Sequence, residues 1–165
     1  MKRLVITCCV FSLTVIFGKS LAQNITYPYT ADYSSNFKMG KPAQSKMVLE
    51  LWKDWDDNAF GRHDYFADTV VMFLADGGVV HGKDSVMASA KRFRGSMTSA
   101  VSTLSAWIPL KSVDKNEDWV AVWGSETDVY PDGKKEVRSL HEIWRFNKAG
   151  KIDFMKQFAA ANSAQ

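Results

Sequence analysis

Cysteine is nearly absent from this chain of 165 residues: there are two, Cys8 and Cys9, side by side near its start. Both fall inside an apolar run, Leu4 to Phe17, that follows Lys2 and Arg3 and precedes Ser20-Leu21-Ala22. Charged, then apolar, then small residues is the order of a secretory signal peptide, with cleavage expected after Ala22. At about 14 residues the run falls short of the ~20 that a spanning helix needs, so no stable membrane insertion is expected. Thr7 is not the small residue that precedes a lipidated cysteine, which argues against a lipoprotein. The mature chain then has no thiol, disulfide or thiolate metal site, although its expected location, secreted or periplasmic, is oxidising. Its stability must come from its core.

A bias in charge is missing too. The chain has 21 Lys and Arg against 18 Asp and Glu; Lys2, Arg3 and Lys19 leave with residues 1–22, and 18 then stand against 18. A neutral domain gives no warrant for a nucleic-acid partner. Histidine is scarce: His63, His81 and His141 form no i, i+4 pair and no His-x-Glu on a helix, so neither a metal nor another cofactor is expected. No serine sits in a Gly-x-Ser-x-Gly turn. No internal repeat or low-complexity tract is visible.

Aromatic residues are plentiful: six Trp, five Tyr and ten Phe, ample for one core in about 143 mature residues. Residues 23–42 lack helical or strand periodicity and read as an extended lead-in whose tyrosines can dock on the domain. From Ala43 to Phe60, Met47, Val48, Leu51, Trp52, Trp55 and Ala59 recur at helical spacing, with Glu50, Lys53, Asp54 and Asp57 opposite, until Gly61. A strand is expected over 69–74, a turn at Asp76-Gly77-Gly78 and a short return at Val79-Val80-His81. Asp84 reads as the cap of a second helix that buries Val86, Ala90, Phe93 and Met97 and exposes Lys91, Arg92 and Arg94. Strands are expected over 99–113, 119–130, 136–147 and 151–160, in antiparallel succession. Helix, hairpin, helix and meander make an α+β plan. Since sheets twist, such a meander curls, and helices on its concave side leave a conical cavity.

On the third long strand, period-two alternation places Leu140, Glu142, Trp144 and Phe146 on one face and His141, Ile143 and Arg145 on the other. The segment Tyr65-Phe66-Ala67-Asp68-Thr69-Val70, the helix entry Gly82-Lys83-Asp84-Ser85-Val86, and Trp144-Arg145-Phe146 with Gly150-Lys151-Ile152 resemble the nuclear transport factor 2-like superfamily. The closest flavour is its SnoaL-like and ketosteroid-isomerase-like branch. The resemblance covers residues 43–160 and leaves 161–165 as a tail. It implies a cone-shaped barrel, a curved antiparallel sheet packed against N-terminal helices, often paired as a homodimer through the open sheet. It does not fix an activity, because the superfamily includes isomerases, cyclases, dehydratases, hydrolases and proteins with no known reaction.

Laid on the isomerase pattern, Glu142 falls where a protonated acid sits. The base position on the first strand falls on Phe73, with Met72 and Leu74 beside it, and the first helix offers Glu50 and Trp52 where a Tyr is needed. Laid on the cyclase pattern, the last strand holds Gln157 at the acid position and Met155 at the histidine position, with Asp153 as a displaced substitute. Glu142, with Asp153, is therefore the acid/base candidate. Trp52, Trp55, Phe73, Trp123, Trp144, Met155 and Gln157 are the candidate contacts of a small-molecule ligand. Binding of a small, largely apolar organic molecule is the leading reading; a lyase, isomerase or cyclase is the second; a cavity filled by side chains is the third. If Glu142 pairs with an Arg, its replacement by Gln should destabilise; otherwise the fold should survive.

Overall fold

The computed structural model describes residues 26–161. The expected signal segment 1–22 and residues 162–165 of the expected tail lie outside them. The described residues divide after Thr30, and residues 26–30 have neither helix nor strand. From Ala31 the elements are β1 (Phe37–Met39), α1 (Pro42–Asp56), β2 (Phe66–Phe73), β3 (Val79–His81), α2 (Lys83–Gly95), β4 (Ser99–Ser112), β5 (Glu117–Val129), β6 (Lys135–Phe146) and β7 (Ile152–Ala161). The strands form one sheet in the order β1-β4-β5-β6-β7-β2-β3.

The meander β4 to β7 is antiparallel throughout. The sheet as a whole is mixed, because β2 lies parallel to β7, which corrects the purely antiparallel expectation. The edge of β7 not used by β6 meets β2, a strand separated from it by α2 and the whole meander, and a parallel pair needs such a long connection. The α+β class stands. Strand β1 is too short for periodicity to reveal; it pairs with β4 through Phe37 and Ser112. Just before it, Tyr33 sets its ring edge-on to Trp119 at 6.0 Å and donates its hydroxyl to Glu117.

Helix α1 has Pro42 in its first turn, where the fixed φ is tolerated and no intrahelical donor is lost. It ends four residues before Phe60, and Arg94 marks the end. The Arg94 guanidinium donates to the Trp55 and Asp56 carbonyls at 2.8 and 3.0 Å, and to that of Met97 at 3.3 Å. The side chain expected on a solvated helix face is 3% exposed. Beyond α1, positive φ at Asn58 and Gly61 folds the chain back. That return brings His63 Nδ1 within 2.7 Å of Asp54, so Asp54 is buried rather than solvated. Asp84 does not cap α2: Gly82, at φ 82°, occupies the cap position and Asp84 lies in the first turn.

α1 packs on β4 and β5, and α2 on β2 and β3. Both helices thus cover one face of the sheet, and Val48, Leu51, Val70, Val120, Val122 and Ile152 form the buried centre between them. The other face carries the row Ala106, Trp123, His141 and Phe158, aligned across four strands. There the His141 ring stacks between Trp123 at 5.0 Å and Phe158 at 5.7 Å.

Candidate functional site

Helical spacing turns Leu51, Trp52 and Trp55 of α1 toward the sheet, while alternation turns Arg138, Leu140, Glu142 and Trp144 of β6 toward the helices. Between them is a cavity of about 490 Å³, also lined by Met72, Phe93, Glu126, Met155 and Gln157. That lies inside the range of ~300–1,000 Å³ usual for small-molecule sites. Gly124 sets its shape. A Cβ there would come within 2.7 Å of the Thr103 carbonyl oxygen and 3.1 Å of the Trp52 ring, so only glycine lets the indole lie this close to β5.

Glu142 is 5% exposed. Its Oε2 accepts hydrogen bonds from the indole N–H groups of Trp52 at 2.7 Å and Trp144 at 3.1 Å; its Oε1 accepts one from the Gln157 amide at 2.9 Å. All three donors are uncharged. Burial pushes the carboxyl above its ordinary value, and the three donors hold the rise back. Among the described residues no Arg pairs with Glu142, which answers the conditional expectation about an Arg partner.

The same cavity reaches a second polar group. One guanidinium nitrogen of Arg138 is 3.2 Å from Glu126 Oε1 and also pairs with Asp128, whose carboxylate is fully buried. Burial, with Asp128 alongside, pushes the Glu126 carboxyl up to about 8. That rise favours a protonated Glu126, and Arg138 pairs with Asp128.

Of the candidates named from sequence, Glu142, Trp52, Trp55, Trp144, Met155 and Gln157 meet around the cavity. Three do not. Trp123 is the cross-strand partner of His141, one residue out of phase with Glu142, and lies on the opposite face. Phe73 is one residue past the inward Met72, and its ring packs against Phe154 at 5.5 Å. Asp153 sits at a register shift between β6 and β7, which aims its carboxylate at Arg145, with Oδ1 2.9 Å from Nε. The polar cavity residues overlooked in the sequence include Glu126 and Arg138; Met72, named beside Phe73, is the neighbour that points inward. The turn at Pro131-Asp132-Gly133 held the signal: closing a hairpin there sets Glu126 opposite Arg138.

No family profile and no curated protein matches the sequence. Solved structures do match the fold. A nuclear transport factor 2-like protein of unknown function from an Exiguobacterium species superposes with a TM-score of 0.58 at 17% identity, covering 68% of this chain and 97% of that one. A putative SnoaL-like polyketide cyclase from a Jannaschia species gives 0.60 at 13% identity, covering 76% and 90%. A hypothetical protein with a ketosteroid isomerase-like fold from Catenulispora acidiphila, in complex with trimethylamine, gives 0.54 at 14% identity, covering 68% and 84%. The chain has the nuclear transport factor 2-like fold, a cone-shaped α+β barrel.

Proposed function

We propose that this protein binds a small, largely apolar organic molecule in the cone cavity, with Glu142 as its polar anchor. The observation carrying this reading is a cavity of about 490 Å³ that combines tryptophan walls with a buried carboxylate held, among the described residues, by neutral donors. Aromatic walls bury much area at low entropic cost, and one polar group fixes orientation. A neighbour in the fold bound to trimethylamine is in keeping with a small occupant. Native mass spectrometry of protein made in its source should show a mass above that of the chain, lost on denaturation; a clean apo mass would count against the reading. Glu142→Gln should leave the fold intact, because an amide oxygen can still accept both indole N–H bonds and Gln157 can rotate to accept the new N–H. Its melting temperature should match or exceed that of the parent, while ligand retention falls.

The second reading is acid/base catalysis of a lyase, isomerase or cyclase type. What favours it is Glu126, a carboxyl that keeps its proton near neutrality and shares the cavity wall with Glu142. Asp153 has no part in it. We further propose that the protein is exported, with removal of residues 1–22 readable by intact mass of secreted material. A second copy would cover the helix-free sheet face, where Val101, Trp123, Val137 and Phe158 are exposed. Light scattering at micromolar concentration should give twice the chain mass, and Trp123→Glu should give a monomer. A monomeric parent would overturn the dimer.

A further inference from the structure

We propose that the occupant of the cavity is an organic cation, a protonated or quaternary amine neutralised by Glu142, with its alkyl groups packed against Trp52, Trp55 and Trp144. This rests on the binding reading and narrows it. Among the described residues no Lys, Arg or His pairs with Glu142, and its three partners are neutral N–H donors. A buried carboxylate without a counter-charge either keeps a proton or takes its charge partner from the ligand. Trp52 and Trp144 have committed their N–H groups to that carboxylate, so they line the cavity with aromatic rings and no free donor, and aromatic rings attract cations.

The other titratable groups on the wall are Asp76, Arg92, Glu126 and Arg138. Arg138 is already matched by Asp128 and stands four positions from Glu142 on β6, about 13 Å away at ~3.3 Å per residue. Arg92 lies on the exposed side of α2, and Asp76, in the turn before β3, adds negative charge. The positive wall groups are therefore balanced or remote from the Glu142 end.

Benzyltrimethylammonium and neopentylbenzene share a shape and differ in charge. Titrated against the full chain by tryptophan fluorescence near neutral pH, the cation should bind about tenfold tighter or more. Glu142→Gln should abolish that preference and leave the affinity for neopentylbenzene unchanged. Because the charge of the probe does not titrate, its affinity for the parent should rise with pH as Glu142 ionises, with Glu126, on the same wall, adding a further rise near pH 8 that Glu126→Gln removes. Trp55→Leu, which leaves the Glu142 contacts in place, should reduce the preference severalfold even if Glu142→Gln proves unstable. Equal or tighter binding of neopentylbenzene, or a preference untouched by both variants, would overturn the cation inference while the binding reading survived. Binding of neither compound would overturn both.

Discussion

Arg94→Ala is expected to lower the unfolding free energy by about 2–3 kcal/mol, because the Asp56 and Met97 carbonyls lose the guanidinium as donor and the Trp55 carbonyl keeps only the Asn58 N–H. The side chain is 3% exposed and ties α2 to the last turn of α1 through the Trp55 and Asp56 carbonyls. A helix C-terminus presents carbonyl oxygens without partners and a partial negative charge, and a planar guanidinium fork can answer several of them at once. Lysine carries the charge without the fork, so Arg94→Lys should recover less than half of the loss. Because Trp55 lies at that junction and lines the cavity, ligand binding should weaken alongside stability. Urea unfolding with an unchanged m value measures the effect; a loss below about 1 kcal/mol would show that water reaches these carbonyls after all.

The cluster of Glu126, Asp128 and Arg138 should produce the second large effect. Arg138→Met should cost about 3–5 kcal/mol, since it leaves the Asp128 carboxylate fully buried without a counter-charge. Glu126 behaves differently because it is held protonated. Its carboxyl titrates at about 8 in the folded chain against 4.5 ordinarily, so the folded state keeps a proton that the unfolded state gives up. The resulting stability is fully present below about pH 4.5 and is lost as pH rises through about 8. Glu142 contributes with the same sign. Asp57 and Asp64, pulled down by hydrogen bonds from Lys53 and Lys83 respectively, act oppositely in the acid range. The comparison must therefore be a difference between variants. In Glu126→Gln the amide can donate to Asp128 and accept from Arg138 without a titrating proton. The melting temperature of the parent minus that of the variant should fall between about pH 5 and pH 8; a flat difference would mean that Glu126 is ionised in the fold.

Much of the architecture was legible because it depends on local periodicity. Four long strands, their three turns, the β2–β3 hairpin and both helices follow from alternation, 3.6-residue spacing and turn residues, each within a few positions of the observed bounds. Glu142 was legible for the same reason: it alternates in phase with Leu140, Trp144 and Phe146, and that phase is buried. Trp123 was misplaced through parity across a hairpin. Pairing from Val129 and Lys135 sets Val122, not Trp123, opposite Glu142, so the two tryptophans Trp123 and Trp144 fall on opposite faces. Asp153 was misplaced because one irregular step between β6 and β7 breaks the alternation, and nothing local marks that step.

Residue order alone determined the elements, the inward face of β6 and the wealth of aromatic surface for a single core, since these depend on neighbours a few positions apart. Tertiary structure decided the rest. The parallel contact of β2 with β7, the capture of the α1 carbonyls by Arg94 and the pairing of Asp54 with His63 join segments whose meeting depends on packing and chain reversal. So does the environment of Glu142. Its neighbours come from α1, β6 and β7, separated by as many as 90 positions in the chain. Whether a carboxyl there meets an arginine or two indoles is a matter of how helix and sheet close on one another, and that closure buries it, among the described residues, against uncharged donors.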